Sequence, residues 1–395
     1  MEKRLYLLLI EQELEPVIGA FCEVFGLENR GGGNSIRAGN GKLDVSVTVT
    51  TKEMAEAQDF FQQQLQSVWE HFYGVQTDLT DHKLNVLYQI HASGALVIVD
   101  HVYADDDVTQ EKVMLNRMAD ILRRLDGLLL TGDGTHLLDK DLRLVLSDKG
   151  DSEVERFFPA ERKLPQDFFE GAPLERVERR NCSVSFLRQQ GIYVTGWLPL
   201  IEGEAEANFR SVEEVALRAA ALLAVSLHAE VLMTQNMDVL EARSYSDSVI
   251  ETYGCGEAFS PQEKAFLENN APEQKEGIHF SWQYECLYVM LWALGHIDKL
   301  SFPDQICDVG AAVRIIRQYD SMDKLVGASI LRTHEELLDE ADLIYRMDWG
   351  CVDARIKGLP MPRNLEGGVV MERHKCLNWL IGSGNDDWDD VDVST

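Results

Sequence analysis

The residues best placed to do chemistry lie late in the chain, in a helical pattern from 334 to about 357. Asp339, Asp342, Arg346, Trp349 and Asp353 follow at spacings of three, four, three and four, which lines them along one stripe of an α-helix. An adjacent stripe holds Leu338, Ala341, Tyr345, Val352 and Ile356, the expected core face, so the polar stripe borders the core rather than opposing it. Asp342 and Arg346 are one turn apart and can pair, which lowers the cost of placing charge there. Such a stripe is either a structural salt-bridge ladder with a partly buried tryptophan or the wall of a polar pocket with Arg346 as an anion ligand.

Two further groups share this ambiguity. Trp282, Glu285, Val289, Trp292 and His296 occupy one helical stripe, and a carboxylate among tryptophans is desolvated, which raises its pKa unless a cation compensates. Arg373 and Arg346 are the candidate cations; the outcome is a general acid or a buried ion pair. In the run Glu372-Arg373-His374, His374 and Asn378 are one turn apart, as they would be to orient an imidazole. The candidate polar pocket therefore comprises Glu285, Asp339, Asp342, Arg346, Trp349, Asp353, Arg373, His374 and Asn378. No H-E-x-x-H occurs and the ten histidines are scattered, so no metal is expected. A Walker loop, G-x-G-x-x-G and G-x-S-x-G are absent, and neither a cofactor nor a reaction type is assigned.

The elements that must position these groups fall into two patterns. Residues 1–148 alternate strands and helices, an α+β sandwich with an antiparallel or mixed sheet covered by helices. Strands are expected at 5–10, around Val45, Val47 and Val49, at 84–91 and 95–103 with a Ser93-Gly94 turn between them, and at 128–131 and 142–146 around a Gly132-Asp133-Gly134 turn. Gly39-Asn40-Gly41 is a hairpin signal. Helices are expected at 17–25, 52–73 and 109–125. Residues 149–208 are rich in Pro and charge and read as a junction, partly packed on the C-terminal domain. From 209 to 395 the pattern is mostly α-helical. Ser211 with Glu214, and Ser260-Pro261 with Glu263, are helix starts; further helices are expected at 281–295, with Gly295 as a stop, and at 372–381. Trp388, set among Asp386, Asp387, Asp389 and Asp390, suggests that the acidic ending docks, since an indole gains from burial while the Asp side chains stay wet.

Composition narrows the function classes. The net charge is −30, and it is spread: 14 Lys and Arg against 24 Asp and Glu in the first 150 residues leave a balance of −10 there and −20 in the rest. That field disfavours nucleic acid and anionic membranes, and suits a basic protein partner or plain solubility. Seven cysteines without a C-x-x-C pair argue against a disulfide framework. The apolar runs at 5–10, 215–227 and 284–295 are too short or too interrupted for a signal core or a membrane span, so a cytoplasmic protein is expected.

The same segments resemble a family known as domain of unknown function 4272, found mainly in bacteria. The likeness runs through Arg179-Arg180, Gly191-Ile192, Leu198-Pro199, Arg210-Ser211, Glu213 to Ala216, Arg218-Ala219, Trp282, Glu285 and Trp292 to Gly295. It continues through Asp339 to Asp342, Arg346, Trp349, Asp353, Glu372 to His374, Leu377 to Trp379 and Trp388 to Val391, and covers about 176–395. Gln283 departs from the arginine the family pattern tends to carry there. The resemblance implies a helical domain and brings no catalytic residues. The net charge, the absent catalytic motifs and the two-domain layout point to a binding module, for example an acidic immunity-like partner of a basic protein; the alternative is an enzyme or small-ligand sensor using the polar pocket. Oligomeric state is left open.

Overall fold

Alternating apolar residues in the first strands dictate the architecture of the first half. The computed structural model describes residues 2–27, 33–39, 43–103, 108–160, 169–234 and 238–395. Their elements run β1 (Glu2–Leu9), α1 (Leu14–Phe25), β2 (Ser35–Gly39), β3 (Leu43–Thr51), α2 (Gln58–Tyr73), α3 (Thr80–His91), β4 (Ala95–Tyr103), α4 (Val108–Leu125), β5 (Gly127–Thr131), β6 (His136–Leu138) and β7 (Leu144–Ser147). The strands form one sheet in the order β2-β3-β4-β1-β5-β6-β7, antiparallel at every pairing. Leu5, Leu7 and Leu9 lie on the same face as Val45, Val47, Val49, Val97 and Val99, and there they bury Phe21 of α1 and Met118, Ile121 and Leu122 of α4. Leu8, Leu96 and Leu128, one residue out of phase, are buried on the other face, where α2 and α3 pack.

One expected strand is a helix. Residues 84–91 belong to α3, because the polar residues that interrupt the apolar run, His82, Asn85 and Gln89, stand at helical spacing and find partners: His82 Nε2 lies 2.6 Å from the Val145 carbonyl, and Asn85 Nδ2 donates to the Phe157 carbonyl at 2.9 Å. A short apolar run cannot by itself be assigned to one period. Ser93-Gly94 consequently links helix to strand, and glycine is required there: a Cβ at Gly94 would come within 2.8 Å of the Glu11 carbonyl. The short strand β6, which was not expected, completes the hairpin whose turn is closed by Gly134 N–H donating to Thr131 O at 2.8 Å. Asn40 and Gly41 of the other hairpin signal lie outside the described residues; the flanking β2 and β3 pair with Gly39 opposite Asp44.

The second half is helical: α5 (Leu174–Gln189), α6 (Val212–Thr234), α7 (Val239–Tyr253), α8 (Pro261–Glu268), α9 (Gln274–Ser281), α10 (Gln283–Ala293), α11 (Val309–Ile316), α12 (Met322–Ala328), α13 (His334–Lys357) and α14 (Gly367–Ile381). The expected caps form: Glu214 accepts from Ser211 N–H at 2.9 Å, Ser260 and Glu263 make a reciprocal box, and Gly295 takes a left-handed φ of +80° after α10. The longest apolar helix, α6, is longer than the run at 215–227 suggested. It is long and apolar enough to cross a membrane, yet most of it is buried among neighbouring helices, as a helix apolar on all sides must be inside a folded unit. The chain divides into two units, Met1–Pro165 with Gly191–Gly196, and Gln166–Gln190 with Trp197–Thr395. The stretch read as a junction, 149–208, is thus shared between them.

Candidate functional site

The carboxylate expected among tryptophans has found its cation. Glu285 of α10 is buried, and its Oε2 accepts from Arg373 Nε of α14 at 3.1 Å while its Oε1 accepts from Cys307 N–H at 2.5 Å. The guanidinium is completed by the Ser301 carbonyl at 2.6 Å and lies over Tyr288. Both ions are almost fully buried, so the pair locks α10, α14 and the 301–307 loop together. Burial, with Glu285 adding to it, drives the neighbouring Cys307 thiol well above its ordinary range.

On α13 the expected intrahelical pair is a two-point contact: Asp342 accepts from Arg346 Nε at 2.9 Å and from Nη2 at 2.7 Å. Arg346 is fully buried; Nη2 also reaches the Pro199 carbonyl at 3.4 Å, and Nη1 has no acceptor among the described residues. The rest of the stripe turns elsewhere. Asp339, with a side chain 57% exposed, pairs with Arg179 of α5 at 2.9 Å, and Asp353 pairs with Lys357 at 2.9 Å. Trp349 is half-buried. Ile356, expected in the core, is 78% exposed: the last turn of α13 buries Ala354 and turns Ile356 to solvent.

His374 forms the third group. Its Nδ1 lies 2.8 Å from Asp348 Oδ2, and its Nε2 lies 3.1 Å from Asn378 Nδ2. The same Nδ2 donates to the Asp392 carbonyl at 2.8 Å, which can only accept, so Asn378 presents its NH2 to the ring and Nε2 is the acceptor. Nδ1 then carries the proton and donates to Asp348. Both ring nitrogens are thereby used, and no lone pair is left for a substrate proton. The contact ties the chain ending to α14, as does Trp388, which is buried edge-on to Trp379 (centroids 5.7 Å apart) with Arg218 over its ring at 4.2 Å.

Five charged side chains are not evident from sequence spacing. Asp348 fills the gap between Tyr345 and Val352 in the apolar stripe of α13; a polar residue at a core position was its signal. Arg218 and Glu263 pair in the interior, where Arg218 Nη1 also donates to the Ala258 carbonyl at 2.8 Å; in the sequence they stand out only as an interruption of an apolar run and as a helix cap. Glu340 is half-buried with no hydrogen-bond partner among the described residues, and desolvation lifts its pKa against the pull of Arg373 and Lys299. Glu372, notable in the sequence only as part of a run, is likewise lifted by burial, against the hydrogen bond from Cys286.

Six of the nine candidate residues thus pair with one another, Glu285 with Arg373, Asp342 with Arg346 and His374 with Asn378, while Asp339 and Asp353 pair with cations outside the set. A cavity of about 200 Å³ in this unit, lined by Tyr245, Tyr253, Arg317 and Tyr319 among others, includes none of them. Burial also raises the thiols that could serve as nucleophiles, Cys255 to about 11 and Cys351 to about 12, which leaves them protonated and inert. Among the described residues no three His, Cys, Asp or Glu side chains gather where they could hold a metal ion. No curated protein and no solved structure matches the chain. Residues 179–391, just over half the chain and the span that holds every one of these ion pairs, match the model of the domain of unknown function DUF4272, and the protein belongs to that family.

Proposed function

We propose that this protein is a binding module rather than an enzyme, and that its acidic exterior takes a basic protein segment in the cytoplasm. One observation carries the reading: the most deeply buried carboxylates of the helical unit, Glu263, Glu285 and Asp342, are matched by buried arginines, whereas some of the acids on its outside face solvent with no cation against them among the described residues. The outer stripe of α7 is the best-formed example. Leu240, Ser244, Asp247 and Glu251 recur at helical spacing and are all exposed, with Leu240 at 71% and Tyr245 beside them at 44%. The helix's lone cation, Arg243, is turned toward the carbonyls of Leu267 and Glu268. An exposed leucine flanked by such acids suits an amphipathic basic segment, which would bury the apolar residue and match the charge. The same field disfavours nucleic acid and anionic membranes.

The test is the affinity of the full chain for a labelled lysine-rich amphipathic peptide, with a glutamate-rich peptide of the same pattern as control. Binding should be selective for the basic peptide, weaken with salt, and fall roughly tenfold in Asp247→Lys/Glu251→Lys, the scale of two rim charges. Equal affinity for both peptides, or an unchanged double variant, would exclude this face.

A further inference from the structure

The first unit holds a cavity of about 230 Å³ bounded by the end of α3, the turn between β6 and β7, and the chain beyond β7. Its lining is unusual for so acidic a protein, because the cations Lys140, Arg143 and Arg156 outnumber the acids Asp126 and Asp139. Asp139 acts on the geometry of the site. It is itself buried, accepts the backbone N–H groups of Asp141 and Arg143 at 2.8 and 3.0 Å, and accepts Arg143 Nε at 2.9 Å. The Arg143 guanidinium is therefore held in one orientation, with Nη1 unpaired among the described residues.

The remaining walls are apolar, with Val154, Phe157 and Phe158 among them, apart from one buried amide. Gln89 is only 1% exposed; its Oε1 accepts from Ala160 N–H at 2.5 Å, but its Nε2 has no acceptor among the described residues. A buried donor without an acceptor is uncommon in folded proteins and points to a missing oxygen. Its size places the cavity below the roughly 300–1,000 Å³ of drug-sized sites.

From these features we propose that the first unit binds a small organic anion, a carboxylate or phosphate ester carried on a single flat apolar ring. The anionic group lies against Arg143 and Arg156, which suit planar or tetrahedral oxyanions. Phe157 and Phe158 cover the ring, and an oxygen of the ligand accepts from Gln89 Nε2. This site is separate in sequence and in chemistry from the α7 face, so either can fail without the other.

Isothermal titration of the full chain with phenyl phosphate and with benzoate tests it, against inorganic phosphate and phenol. At least one aryl anion should bind ten times or more tighter than both controls, and the better of the two tells phosphate ester from carboxylate. Arg143→Gln and Arg156→Gln, at exposed positions, should each weaken that binding about tenfold. Gln89→Leu should weaken it several-fold; should that variant fail to fold, the arginine variants alone decide. The proposal is overturned if neither aryl anion binds, if phenol or inorganic phosphate binds as tightly, or if both arginine variants bind as the unaltered chain does.

Discussion

Replacing Arg373 with methionine should destabilise the helical unit far more than removing a surface ion-pair partner. The change strips the Glu285 carboxylate, 2% exposed, of its cation and leaves it one strong donor, the N–H of Cys307; the Ser301 carbonyl loses a donor as well. Leaving one buried charge without its partner costs about 3–5 kcal/mol. With a urea dependence of roughly 2–3 kcal/mol per M for a unit of this size, the unfolding midpoint should fall by about 1–2 M. Asp339→Ala breaks a pair whose acid is largely exposed and should cost at most about 1 kcal/mol. Tryptophan fluorescence is a suitable assay, since six of the seven tryptophans, all but Trp69, lie in the helical unit. The double variant Arg373→Met/Glu285→Leu should recover most of the loss, because no buried charge is then orphaned. Equal losses for Arg373→Met and Asp339→Ala, or a double variant as unstable as the two single changes added together, would refute the claim that this pair is a closed structural contact.

His228 of α6 is buried and pushed down to about 4 by desolvation, against an unfolded value of about 6.5. Folding excludes its proton between those values, so the stability it contributes is complete above pH 6.5 and lost as pH falls toward 4, up to about 3 kcal/mol. His228→Gln should lose stability less steeply across that range in pH-dependent urea melts, and parallel curves would count against it. Trp388→Ala should cost about 3 kcal/mol through lost burial against Trp379 and Arg218; a loss below about 1 kcal/mol would show that the chain ending adds little to the unit. In a thiol titration of the native protein only Cys182 should react quickly, since the other six cysteines are buried; two or more fast thiols would contradict that burial.

Much of the helical unit is legible in the sequence because a 3.6-residue period is a strong signal over long stretches. The stripe from Asp339 to Asp353, its Asp342–Arg346 pair and the need of Glu285 for a cation all follow from spacing. Which arginine answers Glu285 does not, since Arg373 arrives from 88 residues away and only tertiary packing chooses between it and Arg346. Asp348 is easily passed over, because its one signal is a single polar residue in the gap between Tyr345 and Val352 of the apolar stripe. In the first unit, α3 reads as a strand because its polar residues bond backbone carbonyls inside the fold, which masks helical amphipathicity in a run buried on most sides. The cavity beside Gln89 leaves no trace in the sequence, as its cations lie in a turn and a loop whose approach to α3 no local pattern encodes.

The division of labour proposed for the helical unit, a closed interior and a receptive acidic face, is tested most directly by methyl NMR of the full chain titrated with the lysine-rich peptide. The expected result is perturbation of Leu240 and of methyl groups next to α7, with Leu287 and Leu377, in the sealed interior around Glu285 and His374, unmoved. Perturbation centred on those interior methyls, with Leu240 unchanged, would contradict it.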